Sequence, residues 1–451
     1  MRELKNWLFK EVDNAPLIFF RICFGFLIAA EAFGAILTGW VRRTLIEPDF
    51  TFNFIGFEFL QPLPGYGMYF YFATMGVFGL LVMLGWRYRM AVIAYGVMWT
   101  CVYLMQKTSY NNHYYLLVLM CGLMATVPAN RYFSIDAKRN PMIRSLSCPN
   151  WSIQIFILQL FIVYTFAAIA KIYPDWLAAK PIAIWFEHKA HFWLIGPLLT
   201  KEWMHYAVAY GGILFDLLIV PLLLWRKTRL FAFGLSLFFH LFNSAVFHIG
   251  IFPYMMLGMK VLFFEPNKVR AFFFKAKPAF TSNGLPPKTL GSLQKVGIVA
   301  FGIYFLVQLA LPVRHWFYPG SAHWTEEAHR LSWHMMLRSK SGFIHFMVKD
   351  PVENKTWKVY PDEFLTPKQS RAVATRPDMT WQFVQFLKKH YQAEGLEEVE
   401  IYARSQASLN GRPYQKFIDP EVNLAAVEWH PIHPSPWILP LEENQTTEKS
   451  P

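Results

Sequence analysis

The chain has 451 residues, of which 54% are hydrophobic, 18% aromatic and only 16% charged, and its formal net charge is +13. A soluble globular chain carries roughly 25% charged residues, so the apolar excess excludes an ordinary soluble protein and requires lipid as part of the solvent. The positive balance does not imply nucleic acid as a partner: Lys and Arg gather in short loops between apolar runs, where a topology bias accounts for them, and no basic stripe forms.

In chain order, a mixed-charge start (Arg2, Glu3, Lys5, Lys10, Glu11, Asp13) precedes an apolar run from Ala15 that no convincing cleavage site follows, which reads as a retained first span. A span takes about 20 mostly apolar residues. Candidate runs lie at 15–39, 67–86, 90–106, 112–129, 151–171, 203–225, 229–247, 249–264 and 293–313. The predicted fold class is therefore a polytopic α-helical membrane domain of about nine spans over 1–313. A β-rich extracytoplasmic domain over 314–440 and a disordered polar tail at 441–451 are expected to follow.

Basic residues occupy every second connection: Arg87 and Arg89; Arg131, Lys138, Arg139 and Arg144; Arg226, Lys227 and Arg229; Lys268, Arg270, Lys275, Lys277 and Lys288. Those loops and the N-terminus are assigned to the cytoplasm. His113, Lys171, His188, His191 and His248 then fall on the outer side with the tail.

Within the tail, alternation in Phe343–Val348, Thr356–Tyr360 and Val399–Tyr402 predicts strands. Asn410-Gly411 is a two-residue hairpin signal, and Met379–His390 has helical spacing. The four cysteines (Cys23, Cys101, Cys121, Cys148) all precede residue 149, so the tail is not stapled by disulfides. Without CxxC spacing or a Cys/His cluster, no metal site of zinc type is expected.

Ionisable groups inside spans default to pairing or function. Arg21 and Glu31 share the first span but stand almost three turns apart, so each is expected to find a partner on another helix, and Asp216 is open to either role. Lys171 closes the apolar run Phe161–Ala170. A lysine there either snorkels to the headgroups or, if desolvated, offers a neutral amine as a base. His113 opens a span in the polar aromatic cluster Tyr110–Tyr115, and His240 lies inside another.

These residues carry a resemblance that runs along the chain. It includes Phe59-Leu60-Gln61-Pro62-Leu63-Pro64, the run Lys107–Tyr114, Ala170-Lys171 with Asp175-Trp176, Phe239–Ser244 leading to Ile249–Phe252, Ser332–Met336 with Arg338-Ser339, and Phe417-Ile418-Asp419-Pro420. In this set, ordered from about residue 15 to about 440, the chain resembles the vitamin K-dependent γ-glutamyl carboxylase family, whose membrane part is called the HTTM domain.

The resemblance implies a membrane enzyme that couples oxygenation of a reduced naphthoquinone to its epoxide with carboxylation of glutamyl residues. It implies reduced vitamin K (phylloquinol or menaquinol) as cofactor, O2 and CO2 as co-substrates and no metal. Its partners would be the lipid bilayer and a glutamate-containing protein or peptide. Carried over residue by residue, Lys171 would be the base that deprotonates the hydroquinone, and His113 would act near the glutamate. Asn112, His240 and Asn243 would lie on the quinone side, and Trp333, Met335, Met336 and Arg338 would meet the glutamyl substrate.

Three departures stand against the animal pattern: Ala170-Lys171 in place of a Lys-Lys pair, His334 in place of an acidic residue, and an end soon after Pro440. They suggest a bacterial relative in a cytoplasmic membrane. They also keep two alternatives in view, a quinol epoxidase without peptide carboxylation and a non-catalytic quinone- or peptide-binding membrane protein.

Overall fold

The computed structural model describes residues 2–193, 195–247, 249–281 and 290–442. His248, Lys288 and residues 443–451 of the expected tail lie outside the described residues. The main helices are α1 (Ala15–Leu37), α2 (Gly67–Leu84), α3 (Tyr88–Met105), α4 (Asn112–Thr126), α5 (Trp151–Ala170), α6 (Glu202–Leu224), α7 (Arg229–Phe247), α8 (Phe252–Lys260), α9 (Ser292–Val313) and α10 (Pro377–Ala393).

Among the described residues, seven helices are long and apolar enough to cross a membrane: α1, α2, α3, α5, α6, α7 and α9, the last running on to Phe317. The remaining two expected spans are helices as well, but shorter. α4 has 15 residues. Its start is capped by the Asn111 side chain, which accepts from Tyr114 N at 2.8 Å. Its end is fixed by Pro128, which drives Val127 out of the α region to ψ 150°. α8 passes into a 3-10 turn at Val261–Phe263.

Compactness divides the chain into two units: Met1–Glu47, Asn53–Thr165 and Leu214–Leu309 form the first; Pro48–Phe52, Phe166–Ile213 and Ala310–Pro451 form the second. The second unit therefore includes more than the expected C-terminal domain. It takes in the segment that carries Lys171 and a short stretch of the loop between α1 and α2.

In the first unit α1 and α2 approach so closely that side chains must be absent at the contact. A Cβ on Gly25 would stand 2.3 Å from Met83 N, and one on Gly79 would stand 2.6 Å from Ala29 N. Small residues at such crossings let helix backbones pack where lipid supplies no hydrophobic drive. The two charges expected to pair in α1 do find other elements. Arg21, fully buried, donates to Phe133 O at 2.6 Å and Ala129 O at 3.4 Å, and Glu31 accepts from Tyr114 Oη of α4 at 2.8 Å. A polar chain links α4, α5 and α9: Tyr304 Oη donates to Gln159 Oε1 at 2.7 Å, and Gln308 Nε2 donates to Tyr115 Oη at 3.0 Å.

The unit's short antiparallel pair, β1 (Glu11–Asp13) with β2 (Ser147–Pro149), sits beside a buried ion pair between Lys277 and Asp13 at 2.8 Å.

The second unit holds a four-stranded antiparallel sheet made of β3 (Lys340–Asp350), β4 (Lys355–Val359), β5 (Glu400–Leu409) and β6 (Gln415–Lys416), in the order β4-β3-β5-β6. The alternation read in the sequence places Ile344, Phe346 and Val348 on one face with Ile401 and Ala403. α10 covers that face with Met379, Phe383, Val384 and Leu387. The hairpin expected at Asn410-Gly411 is present, both residues having positive φ (52° and 79°) as a type I′ turn requires. Phe52, from the loop between α1 and α2, is fully buried in this core, and Phe50 packs against Phe386 at 4.7 Å between ring centroids.

At one end of β3 lies a buried charge cluster. Glu326 receives Arg338 Nε at 2.9 Å together with Arg338 Nη2, has His329 Nδ1 at 3.2 Å and lies 3.9 Å from Lys340 Nζ. Burial would raise the Glu326 carboxyl, but Arg338, His329 and Lys340 together hold it far below the usual carboxylate range. Burial and the neighbouring Arg338 and Arg376 push Lys340 down to about 7 against the pull of Glu326.

A carboxyl whose pKa falls on folding contributes stability that is present above its unfolded value and lost as pH drops below it. We therefore expect acidification through the ordinary glutamate range to loosen this domain. Glu326→Ala should cost about 3 to 5 kcal/mol by leaving buried cations uncompensated, read as a lower melting temperature by tryptophan fluorescence. An unchanged melt would show that the cluster contributes nothing.

Candidate active site

The residues predicted to carry chemistry fall into both units, and each set is built by its own elements. In the first unit, α4 begins with Asn112 and His113. Asn112 is buried and accepts from Tyr110 Oη at 2.9 Å. The His113 ring lies against Phe252 at 4.0 Å between centroids, nearly parallel to it. Phe252 is also 6.5 Å from the ring of His240, so one phenyl group touches both imidazoles.

His240 is buried, and it belongs to a triangle that the sequence did not announce. Its Nε2 is 2.9 Å from Tyr164 Oη and 2.9 Å from Lys260 Nζ, and Lys260 Nζ donates to Tyr164 Oη at 2.7 Å. The three corners come from α7, α5 and α8. A ring nitrogen either donates one hydrogen bond or accepts one, so the triangle shares its protons among three groups. Asp216, buried on α6, acts electrostatically on both Lys260 and Tyr164.

Asn243, expected on the quinone side, donates through Nδ2 to Phe239 O of its own helix at 2.8 Å. Its neighbour Phe239 stacks on Phe215 at 3.8 Å, which makes an aromatic wall beside His240.

In the second unit, Lys171 follows the last turn of α5. Only 8% of it is exposed, and its Nζ donates back to Ala167 O at 3.1 Å rather than reaching outward. The amine stands 5.6 Å over the ring of Trp176. Gly212 packs beside both side chains: a Cβ there would make ordinary contact, 3.9 Å from Lys171 Cε and 4.0 Å from Trp176 Cζ2. Trp176 is fixed in turn by a bond from Nε1 to Ala209 O at 3.1 Å.

The turn after Lys171 is anchored by Asp175. This buried carboxylate accepts from Arg412 through two nitrogens, from Asn410 Nδ2 at 2.9 Å and from Lys180 Nζ at 3.1 Å. Burial works against the charge, yet the bonds from Arg412, Asn410 and Lys180 keep Asp175 below the usual aspartate range. A bidentate guanidinium pair of this kind fixes geometry as well as charge. The positive φ of Asn410 and Gly411 at the hairpin thus has a second use, because it presents Asn410 and Arg412 to the segment that carries Lys171.

The residues expected to meet a glutamyl substrate lie on an unusual backbone. Glu326, Ala328, Leu331, Trp333 and Met336 all have positive φ, between 47° and 63°, and none is glycine. Such residues cost of order 1 to 3 kcal/mol each and persist only where their surroundings over-determine them. The surroundings do so here. Ser332 Oγ donates to Ala328 O at 2.8 Å, Arg330 pairs with Asp378 at 2.8 Å, and Tyr173 Oη donates to Leu337 O. Trp333 is fully buried, whereas Met336 is 38% exposed. Arg338 is engaged by Glu326 through Nε and Nη2.

Sequence reasoning missed Lys260, Tyr164 and the anchoring role of Asp175. For Lys260 a signal existed, since a lysine inside the run 249–264 is an ionisable group in a span. For Tyr164 and Arg412 there was none, because their partners lie far away in sequence.

A sequence model of the HTTM domain matches residues 9–267. Another, described as vitamin K-dependent gamma-carboxylase, lumenal domain, matches residues 293–444. The chain belongs to the vitamin K-dependent gamma-carboxylase family. Together the two matches cover both the helical region and the sheet domain of this family member. No solved structure matches the chain.

Asp175→Asn should weaken the anchor without removing the side chain. Amide exchange across residues 171–180 and 409–412 is expected to rise about tenfold or more as these segments open locally. The wild type should reach that state only when pH falls below the ordinary aspartate range. Unaltered exchange in the variant would mean that the turn is held by other contacts.

Proposed function

We propose that the chain is a carboxylase-like membrane enzyme that epoxidises a reduced naphthoquinone with O2 and carboxylates glutamyl residues with CO2. The observation that carries this reading is the buried amine of Lys171, bent back to its own helix beside Trp176 in a membrane protein of this family. A snorkelling lysine would extend away from the helix end. Bent back in this way, the amine is held at one fixed place beside Trp176, as a group that hands a proton to and from a bound ligand must be.

When bound, the reduced quinone supplies the reducing equivalents for oxygen, and that chemistry provides a base strong enough to remove a γ-proton. The chain's residues then bind, orient and hold protons. Lys171 Nζ would take the proton of a ring hydroxyl. Trp176, held on Ala209 O, keeps the amine in place. In the first unit, His240 carries polar atoms among Phe215, Phe239 and Phe252, a composition suited to a flat ring, and Asn112 keeps its proposed role on the quinone side. His113 remains the proposed group near the glutamate, and Asn243, whose amide is oriented by Phe239 O, remains proposed on the quinone side. Trp333, Met335 and Met336 are proposed to meet the glutamyl side chain.

The N-terminus is assigned to the cytoplasm and the sheet domain to the outer side, in the inner membrane if the source is bacterial, because basic residues fill alternate loops.

One observation favours a second reading, quinol epoxidation without peptide carboxylation: Glu326 occupies the guanidinium that a substrate carboxylate would use.

Purified protein in detergent, given reduced vitamin K, oxygen, a glutamyl peptide and labelled carbon dioxide, should yield epoxide together with labelled peptide. Lys171→Ala should lower epoxide by at least about a hundredfold, in the range of a lost general base. Lys171→Arg should not restore it, since a guanidinium stays protonated. Epoxide without label supports the second reading. Full activity in Lys171→Ala removes Lys171 from the chemistry.

A further inference from the structure

Besides the residues assigned above, the second unit contains three histidines around one cavity. His315, His323 and His334 line a hollow of about 330 Å³, together with Phe166, Ile169 and Ile172 at the end of α5. The rings of His315 and His334 are 4.6 Å apart between centroids, those of His323 and His334 5.5 Å, and Tyr173 lies 4.3 Å from His323. Among the described residues, no group of three His, Cys, Asp or Glu side chains is arranged to hold a metal ion. The apolar side chains that line the cavity with the imidazoles suit an organic ligand.

Three features define that ligand. His323 is only 8% exposed, and its Nδ1 has no hydrogen-bond partner among the described residues. A buried polar atom in that state is costly unless something completes it. None of the described residues that line the cavity is Asp or Glu, so the wall offers basic nitrogens with no acid of its own. The lining also includes aliphatic and aromatic side chains, of which Ile172 (61% exposed) and Trp316 (62% exposed) reach solvent. The segment that presents His334 is the strained stretch with positive φ at Leu331, Trp333 and Met336, and such strain gathers at binding sites.

We propose that this cavity binds a carboxylate carried on an apolar stem, with the carboxylate at His323 and His334 and the stem along Phe166, Ile169 and Ile172. Two sources share this chemistry, the side chain of a glutamyl peptide and a free fatty acid. The glutamyl source rests on the function proposed above; the fatty-acid source does not.

The electrostatics predict how binding responds to pH. Burial, with Arg338 and the neighbouring imidazoles, pushes His323 down to about 3 and His334 well below its ordinary value. Glu326 and Asp175 pull His323 the other way, and His329 bears on His334. Arg314 adjoins His315 on the same turn. Both His323 and His334 are thus neutral at neutral pH. An entering carboxylate would favour the protonated imidazole, so a proton is taken from solvent as the anion binds, and binding tightens as pH falls.

The test is calorimetry on the full chain in non-ionic detergent, with dodecanoate and N-acetylglutamyl amide as probes and dodecanol and N-acetylglutaminyl amide as uncharged controls. Binding of at least one acid should be about tenfold or more tighter near pH 6 than near pH 8. The heat should vary with buffer ionisation as proton uptake requires. His323→Gln and His334→Gln should each weaken binding about tenfold. His334→Asp should abolish it by placing a like charge in the cavity. Circular dichroism and melting temperature check that each variant is folded.

Binding of dodecanoate identifies the lipid source, and binding of the glutamyl amide identifies the peptide source. The proposal is overturned if neither acid binds, if the alcohol or amide binds as well as its acid, or if folded variants bind like the wild type. Because the readout is binding, it separates from turnover. A wild type that binds acid but makes no epoxide defeats only the proposed function, and one that makes epoxide but binds no acid defeats only this site.

Discussion

A polar side chain inside a helix that crosses a bilayer has no water to fall back on, so each must meet a partner on the protein, and that requirement organises the first unit. Arg21 holds the carbonyls after α4, Glu31 holds Tyr114, and Gln159, Gln308, Tyr115 and Tyr304 bind three helices to one another. Lipid tails are as apolar as the side chains of the helices, so burial of Leu or Phe gives little reason for one helix to choose another. Polar pairs and glycine contacts supply the choice. The same rule concentrates Lys260, His240 and Tyr164 in a triangle, where three groups costly to bury singly satisfy one another.

The second unit is held by a different balance. Its sheet and covering helix form an ordinary apolar core, but the loop from Glu326 to Arg338 is an uphill conformation stabilised by charge. Glu326, Arg338 and Arg330 with Asp378 fix the ends of a stretch that local propensity would not form. The segment that carries Lys171 is joined to the same unit through Asp175 and the hairpin after β5. Two parts of the chain more than two hundred residues apart in sequence thereby become one support, as their separation of 237 positions shows.

Much of this was legible in the sequence because periodicity and composition are local. The apolar runs gave the helices, the alternation of Phe343–Val348 gave β3, and Asn410-Gly411 gave the hairpin, since only residues tolerant of positive φ suit that turn. The shortness of α4 was also written there, in Pro128, but a hydropathy window blurs one residue. The site was legible only in part. Lys171, His113 and His240 could be named from motifs, whereas their neighbours could not. Tyr164 looks like any tyrosine within an apolar run until α7 and α8 bring His240 and Lys260 to it. Arg338 read as a receptor for a carboxylate, and the fold gives it one from Glu326, twelve positions away. The left-handed residues between 326 and 336 left no trace at all, because none is glycine and only tertiary contacts hold them there.

Phe50 and Phe52 leave the chain between its first two spanning helices, yet Phe52 lies in the core beneath the sheet, and Gln369 donates to Phe50 O across 319 positions of sequence. During synthesis that loop emerges early, while the strands and helix that bury it are made last. For most of translation two large aromatic side chains and their backbone must wait without the surface they fit. The final assembly of this protein is therefore a closure of its beginning upon its end, and a chain halted before α10 would be left with a hydrophobic hook and nothing to engage it.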